Sequence, residues 1–297
     1  MRLIKPSVEI WEQPPGMSGI YQQIERCARV CYKSEDKIGE GTAEKMVEML
    51  KEREHTAMLE HGTVYLMVDC SGRLYSKVAE KYTKNKYSMW KLHQDGIHYC
   101  ITTNLRVLVE NGWLDDLRYL CEPTEYHEKR VTVHFTCDRG ISHELVRHRV
   151  FSFAQESTRY CNYSKSKFNN EITFIIPCWT DIPEGDYGSR VHPKIVQRGW
   201  HDGVAQIFID NCRYSEDSYF RLLNESWVPQ QARTILPNSL KTEVCMTGFV
   251  SDWKHFFELR TAQSAHPQMR ELTIPLKDIF RNKGLLYYVV AGETSSH

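Results

Sequence analysis

The sequence lacks an excess of charge of either sign, and this balance excludes broad classes of protein. Its 297 residues include 38 Lys and Arg against 38 Asp and Glu, so the formal net charge is zero. Proteins that bind nucleic acid through counterion release are usually basic overall, and acidic disordered proteins lack the 41% of hydrophobic residues found here. We therefore expect an ordered globular protein without nucleic acid as a partner, in which charge acts through local clusters.

Long apolar runs are missing too. The longest candidate, residues 285–291, is much shorter than the roughly 18 residues of a transmembrane helix, and we expect it to form a terminal strand or a buried helix end. No apolar stretch of the kind found in a secretory signal follows Met1. These features predict a cytoplasmic protein that does not contact a membrane.

Closely spaced cysteine pairs are absent as well. The ten cysteines are scattered, and no C-x-x-C pair occurs. A structural zinc site needs ligands that are paired closely in sequence, and a disulfide framework is typical of short secreted chains. The pattern therefore predicts buried thiols in a reducing compartment and no metal site.

The glycine-containing motifs of several enzyme classes are also absent. The sequence has neither a G-x-G-x-x-G motif nor a Walker A loop, so any flavin or NAD site is expected to be of a non-Rossmann type. No G-x-S-x-G elbow surrounds Ser157, and the sequence places no base for it. A serine-nucleophile enzyme is therefore not indicated.

Helical and strand-like segments are mixed without a regular βαβ rhythm. This order predicts an α+β fold with a mixed, largely antiparallel sheet and flanking helices, in a single domain over residues 1–297. Strands are predicted over 63–68, 131–137 and 242–247. Helices are predicted after the N-cap residues Ser18 and Ser251, after Thr42 and Pro229, near 105–120, over 141–149 and over 194–225.

The densest polar cluster is formed by residues 147–160, which include three arginines and one histidine. The planar fork of an arginine suits phosphate and planar acceptors, and Ser157 and Thr158 add hydroxyls and backbone N–H groups that can hold an anion. The cluster predicts a site for an anionic ligand that carries a ring. The alternative is an arginine-rich surface turn whose arginines pair with Glu144 and Glu156.

The residues of this cluster resemble a known family. Arg147-His148-Arg149, seven further residues and then Ser157 match the motif of the flavin-dependent thymidylate synthases, which has four fixed positions at fixed spacing. Ser157-Thr158-Arg159-Tyr160 continues the match, and supporting segments in family order lie at 55–61, 232–237 and 256–260. The resemblance extends from about residue 20 to residue 283.

The resemblance implies a methyltransferase that converts dUMP to dTMP, with methylenetetrahydrofolate as carbon donor and NADPH, through FAD, as reductant. It also implies a homotetramer whose active sites are shared between subunits. The residues expected to bind dUMP are Glu144, Arg147, Gln155, Glu156, Ser157, Arg159, Arg233 and Arg260. The residues expected to bind FAD are His55, from a neighbouring subunit, and Ala57, Arg147, His148, Arg149, Gln155 and His255.

Arg260 is the residue expected to be catalytic. The uracil C5 atom is a weak nucleophile, and the motif contains no cysteine that could add to C6. A fixed guanidinium beside the N3/O2 edge favours an enolate-like ring instead. Ser157 is then a substrate contact, and the alternative is that its hydroxyl takes part in covalent chemistry.

The chain departs from the family pattern at four single positions and in one longer stretch. Glu144 stands where the family has a Gln, and an ionised carboxylate cannot donate a hydrogen bond. Phe249 and Ser251 stand where the family has an Asn and an Arg that contact the flavin, and His255 replaces another Asn. The stretch 69–130 is expected to be a peripheral insertion relative to compact family members.

A second hypothesis is a non-catalytic relative that binds nucleotide or nucleic acid through the Arg/His cluster. Five lysines between residues 77 and 91 could extend such a surface. The simpler interpretation of these lysines is a solvated helix face. A purified protein without a flavin spectrum would favour the second hypothesis.

Overall fold

The computed structural model describes residues 1–71, 73–188 and 202–286. Within these ranges, ten strands form three sheets and nine α-helices pack around them. All but one of the strand pairings are antiparallel, since only β1 and β8 pair in parallel within the described residues. The predicted α+β class with a largely antiparallel sheet is confirmed.

The strands are short except at the centre of the molecule. They are β1 (Arg2–Ile4), β2 (Ser7–Trp11), β3 (Thr63–Asp69), β4 (Met89–Leu92), β5 (His98–Asn104), β6 (Arg130–Asp138), β7 (Ser152–Gln155), β8 (Thr173–Ile175), β9 (Gly185–Asp186) and β10 (Lys241–Phe249). The sheet orders are β2-β6-β10-β7, β3-β5-β4 and β8-β1-β9.

The helices connect and cover these sheets. They are α1 (Gly16–Val30), α2 (Thr42–Glu52), α3 (Arg73–Thr83), α4 (Leu105–Asn111), α5 (Arg139–Leu145), α6 (Asp202–Asn224), α7 (Pro229–Ala232), α8 (Val250–Arg260) and α9 (Pro267–Asn282). None of these described helices is both long and apolar enough to cross a membrane.

The four-stranded sheet β2-β6-β10-β7 is the central sheet, and it sets the position of the site. Its two long strands, β6 and β10, pair Val133 with Met246 and Phe135 with Val244. These four side chains are completely buried in one cluster with Trp253 of α8. Alternating residues of a strand share a face, and burial of each such side chain stabilises the fold by about 1.5–3 kcal/mol. This packing holds α8 against the sheet.

The segment from 69 to 130 contributes to a second core. Ile101 of β5 and Leu105 and Leu108 of α4 are fully buried beside Ile24 of α1 and Leu66 of β3. β5 is the middle strand of its sheet, between β3 and β4. The segment is therefore packed on the elements that precede it, while its description as an insertion stays a prediction.

The predicted strands are confirmed, with one to three more residues at their ends, but several helix limits were wrong. The helix predicted over 141–149 begins at Arg139 and ends at Leu145. Its N-terminus is fixed by Asp138, whose Oδ1 accepts the backbone N–H of Ile141 at 2.8 Å. After Leu145 the chain turns, because the N–H groups of Arg147 and His148 bond to the carbonyls three residues back, those of Glu144 and Leu145.

Ser18 and Ser251 are not N-caps, because α1 begins at Gly16 and α8 begins at Val250. The carboxylate of Asp252 accepts the backbone N–H of Phe249 instead, at 3.2 Å. The helix predicted near 105–120 ends at Asn111, because Gly112 adopts a φ of 70°.

Two predictions fall partly on residues that are not described. The helix predicted over 194–225 is present as α6, and residues 194–201 lie outside the described residues. Of the apolar stretch 285–291, Leu285 and Leu286 pack against the central core, and residues 287–291 lie outside the described residues.

Candidate active site

Arg260 is held in one orientation by three hydrogen bonds. Its Nε donates to Nε2 of His148 at 2.8 Å, and its Nη1 donates to Oε2 of Glu144 at 2.7 Å. Its Nη2 donates to the backbone carbonyl of Glu144 at 3.2 Å. The end of α8 thus meets the last turn of α5 and the chain that follows it at one guanidinium. The Arg260 side chain remains 17% exposed.

His148 is neutral in this arrangement. A guanidinium has only donors, so the Nε2 atom that accepts from Arg260 carries no proton and the proton resides on Nδ1. Burial lowers the pKa of His148 to about 4, and the positive charge of Arg260 acts in the same direction. The ring also packs edge-on against Phe256, with centroids 4.9 Å apart. His148 therefore has an Nδ1–H that can donate to a ligand.

The three motif arginines carry no paired acid in the described part of the chain. Arg147, Arg149 and Arg159 are exposed, and none makes an ion pair there. The acids expected to pair with them have other partners, since Glu144 binds Arg260 and Glu156 binds Lys241. The alternative of a surface turn closed by these two acids is therefore wrong.

The region after the motif serine is joined to the segment at 230–233. Arg159 Nε donates to Oε1 of Gln230 at 3.2 Å, and Arg233 Nη1 donates to Oγ1 of Thr158 at 3.1 Å. Both arginine side chains are exposed. Two cations from separate segments are thus brought to one surface without a carboxylate between them.

Glu156 belongs to a buried charge network. Its carboxylate accepts from Lys241 Nζ at 2.7 Å, and the same Nζ lies 2.6 Å from Glu243. Burial alone would lower the pKa of Lys241, but Glu156 and Glu243 raise it well above its usual range. With 1% of its side chain exposed, Glu156 has both carboxylate oxygens engaged within the protein, since Oε1 also accepts from the hydroxyl of Tyr163 at 3.5 Å.

Gln155 and Ser157 are held by local hydrogen bonds. Gln155 Nε2 donates to Ser142 Oγ at 2.9 Å and to Thr242 Oγ1 at 3.2 Å. The Oγ of Ser157 accepts the backbone N–H of Arg159 at 3.3 Å. Among the described residues, Ser157 Oγ has no hydrogen bond to a histidine or carboxylate, so no base is in place for a nucleophile.

The predicted flavin residues of the first segment lie on an exposed turn. His55 precedes a 3₁₀ turn, Thr56–His61, and both His55 and Ala57 are exposed. The turn is tied to the motif, because Met58 Sδ lies 4.0 Å from Cys31 Sγ, and Cys31 O accepts the N–H of Ser157 at 3.0 Å. His255 is also exposed, on α8, with Nδ1 3.4 Å from Glu258.

A cavity of about 870 Å³ opens beside Arg149. Its walls include Phe249, at a position where the resemblance implies a polar flavin contact, and three residues that the sequence does not mark. These residues are Tyr87, Arg106 and Arg130. Arg130 stands one position before the predicted strand 131–137, and no sequence motif marks it or the other two.

The lysines between residues 77 and 91 are largely paired. Lys81 bonds to Asp116, Lys84 bonds to Glu80, and Lys91 lies 3.8 Å from Glu128. These lysines are neutralised by neighbouring acids. The ion pairs favour the interpretation of a solvated face over that of a surface for nucleic acid.

Fold and site together define a class of protein. An α+β chain presents exposed arginines from two segments, a partly buried guanidinium at a helix end and a cavity of about 870 Å³, a set of groups whose chemistry suits phosphate-bearing ring ligands. Residues 123–283 match the family described as thymidylate synthase complementing protein, and the chain belongs to that family.

Individual relatives are similar over the same region. The chain is 29% identical over 146 residues to a flavin-dependent thymidylate synthase of Corynebacterium aurimucosum, and the match covers 49% of this chain and 55% of that protein. It is 30% identical over 136 residues to the enzyme of that name from Pyrococcus furiosus, covering 46% and 48% of the two chains. The chain thus spans about half the length of the relatives it matches.

Solved structures give a weaker likeness. The UMP/dUMP methylase PolB from Streptomyces cacaoi, bound with 5-Br dUMP, aligns with 96% of this chain and 93% of its own, at 18% identity and a TM-score of 0.43. Its complex with 5-Br UMP aligns at 14% identity and a TM-score of 0.46, over 97% and 94% of the two chains.

Proposed function

We propose that the protein is a flavin-dependent thymidylate synthase, a methyltransferase that converts dUMP to dTMP. Methylenetetrahydrofolate donates the carbon, and NADPH, through FAD, supplies the reducing equivalents. Family membership and the names of the relatives support this assignment. The observation that carries it is Arg260, which is oriented by Glu144 and His148 beside exposed motif arginines.

The phosphate of dUMP is assigned to the unpaired cations. Arg159 and Arg233 are exposed, lie on joined segments and have no carboxylate partner in the described chain. Charge-assisted hydrogen bonds from two guanidinium groups suit a phosphate dianion. Arg147, Gln155 and Ser157 are assigned to the remainder of the nucleotide, whereas Glu144 and Glu156 act through Arg260 and Lys241.

Arg260 is assigned to the uracil ring. Three of its five N–H donors are used by the protein, which leaves one on Nη1 and one on Nη2 for the planar N3/O2 edge. Negative charge on this edge raises the electron density at C5, and a positive charge that is already oriented stabilises that state without reorganisation. The low exposure of Arg260 strengthens this interaction relative to water.

The residues around the cavity fit a flavin dinucleotide. Two guanidinium groups, Arg149 and Arg130, line its wall, and Phe249 provides a ring face. His148 offers an Nδ1–H, while His55, Ala57 and His255 are exposed where a ligand or a neighbouring subunit can reach them. When bound, FAD accepts hydride and delivers reducing equivalents, and the protein's part is to bind and orient it.

The assembly is proposed to be a cytoplasmic homotetramer with shared sites. One face of α6 carries Val204, Ile207 and Tyr214, each 70% exposed. Residues three, four and seven apart share a helix face, and such an apolar face is typical of an interface between subunits. The ten cysteines are all free, which suits a reducing compartment.

The test is release of tritium from C5-labelled dUMP, measured with and without NADPH and methylenetetrahydrofolate. The wild-type protein is expected to be yellow and to release tritium only with both co-substrates. Arg260→Ala is expected to lose turnover and to bind dUMP more weakly, because the uracil edge loses its cation. Wild-type turnover by Arg260→Ala, or a colourless protein that takes up no FAD, would refute the assignment.

A further inference from the structure

The cavity beside Arg149 is built in large part by a segment that no motif marks. Half of the residues that line it, nine of eighteen, lie between Asn85 and Asn111. The other half comes from the motif turn, from the ends of β6 and β10, and from Glu60 and Asp252. The stretch that the sequence analysis could interpret only as an insertion is therefore one wall of the proposed flavin site.

Arg130 presents a partly buried charge to this cavity. Its Nη1 donates to the carbonyl of Glu60 at 2.9 Å and lies 3.4 Å from Thr63 Oγ1, and its Nη2 lies 3.5 Å from Ser152 Oγ. Its Nε is buried without a partner, and no carboxylate of the described residues lies within 4.0 Å. Burial lowers the pKa of Arg130 to about 10, so the group is still cationic at neutral pH. A cation that is partly desolvated and has no anion beside it is costly unless a bound anion neutralises it.

The third arginine of the cavity, Arg106, is different. Its guanidinium is paired with Glu60 and Glu110. Arg106 is therefore neutralised within the protein, and Arg130 and Arg149 are the two guanidinium groups of this wall that remain for an anionic ligand.

The place of Arg130 in the sheet is informative. Arg130 is the cross-strand partner of Phe249, and its Cζ lies 5.5 Å from the centre of the Phe249 ring. Phe249 and nearby Ser251 are the positions where the resemblance implies polar and cationic flavin contacts that this chain lacks. The neighbouring strand β6 thus supplies a cation, Arg130, beside the position where the segment of Phe249 and Ser251 has none.

We propose that Arg130 and Arg149 together bind the diphosphate of a dinucleotide, the chemistry that FAD and NADPH share, and that Tyr87 forms the wall against one of its rings. Tyr87 is 56% exposed and lines the same cavity, and aromatic faces pack well on planar rings. The inference rests on the proposed function and adds residues to its cofactor site.

The first experiment is Arg130→Gln, titrated with FAD, with NADPH and with riboflavin in protein from which bound flavin has been removed. Flavin and nicotinamide fluorescence give the dissociation constants. We expect the constant for at least one dinucleotide to rise about tenfold or more, as for loss of a charge-assisted contact. Riboflavin lacks phosphate, so its binding is expected to be unchanged. The control is Arg281→Gln, which removes the same charge from an exposed ion pair with Asp278.

The second variant covers the case in which Arg130→Gln does not fold. Tyr87→Ala removes an exposed ring and is expected to raise the same dissociation constant about threefold or more. Its control is Trp179→Ala, which removes a ring that is 63% exposed between β8 and β9, away from the cavity and from the exposed face of α6. Thermal unfolding checks that each variant retains the fold.

The outcomes separate the two proposals. Unchanged dissociation constants for both dinucleotides in the folded variants would overturn the inference, while tritium release by the wild-type protein would keep the proposed function. Equal weakening of riboflavin and FAD would overturn the diphosphate assignment. A wild-type protein that binds neither dinucleotide would end both proposals.

Discussion

Two groups of charged side chains in this protein are organised in opposite ways. The first is the largely buried network of Lys33, Glu156, Lys241 and Glu243, in which each charge lies within 2.7 Å of an opposite charge and 1–21% of each side chain is exposed. The second consists of the arginines of the motif and of the segment at 233, which are exposed and have no acid partner in the described chain. The two groups adjoin in the sequence, since Glu156 belongs to the first and Arg159, three residues later, belongs to the second.

The comparison separates charges that hold the fold from charges that hold a ligand. A buried charge needs its partner because desolvation is costly. An exposed guanidinium without an acid retains its full attraction for a phosphate. Arg260 combines the two conditions, since Glu144 and His148 orient it while two of its N–H groups stay available.

The largest effect is expected from breaking the buried network. Lys241→Ala leaves Glu156 and Glu243 buried without their shared cation, and we expect the free energy of unfolding to fall by about 3–5 kcal/mol. Urea unfolding measures this change. The control is Lys51→Ala, whose partner Glu48 is 60% exposed, with an expected change below about 1 kcal/mol. Equal losses in the two variants would erase the distinction drawn above.

The next effect concerns dUMP binding by the exposed arginines that have no acid partner. Arg233→Ala is expected to raise the dissociation constant for dUMP about tenfold to a hundredfold, as for a lost charge-assisted hydrogen bond. Its free energy of unfolding is expected to change by less than about 0.5 kcal/mol, because the side chain is exposed. Calorimetric titration and urea unfolding give the two values. Arg118→Ala removes an exposed arginine elsewhere and should leave dUMP binding unchanged; weaker binding there would indicate a general charge effect.

A smaller effect tests how Arg260 is oriented. Glu144→Gln keeps an oxygen that accepts from Arg260 Nη1, so we expect kcat to stay within about threefold of the wild-type value. Glu144→Ala removes that acceptor, and we expect kcat to fall about tenfold, as for a net loss near 1.4 kcal/mol. Steady-state kinetics distinguish the two variants. If Gln and Ala lower kcat equally, the negative charge of Glu144, and not its position, is what matters.

The last prediction concerns a dependence of stability on pH, which a mixture of titrating groups makes the hardest effect to isolate. The pKa of His148 is about 4 in the folded chain, against 6.5 in its ordinary state, so the unfolded chain binds more protons between these values. The contribution of His148 is therefore complete above about pH 6.5 and is lost as pH falls towards 4. Melting temperatures from pH 7.5 to pH 4.5 should fall less steeply for His148→Gln than for the wild-type protein. Parallel curves would show that another group sets this slope.

Much of the fold could be predicted from local patterns. The alternation of Val131, Val133 and Phe135 identified β6, and the order of strands and helices identified the α+β class, because period and propensity are properties of neighbouring residues. Helix limits were less predictable. Asp138 and Asp252 fix two helix starts through their carboxylates, but each stands among other residues that can cap a helix.

The site was predictable only in part, for a physical reason. The residues at 147–157 are close in sequence, so their spacing identified the arginine cluster and the family. The pair Glu144–Arg260 is separated by 116 residues, and no local pattern fixes which acid meets which base. The same limit explains why the motif arginines, rather than Arg260 and Lys241, were weighed as partners of Glu144 and Glu156.

The sequence by itself determined the charge balance, the strands β3, β6 and β10, the motif and the family, because each depends on which residues follow one another. Tertiary structure alone decided which charges are neutralised. Packing of α8 on the central sheet brings Arg260 to Glu144 and His148, and pairing of β6 with β10 places Arg130 beside Phe249. A chain with zero net charge can therefore have unpaired cations at one site, since folding distributes the partners unequally.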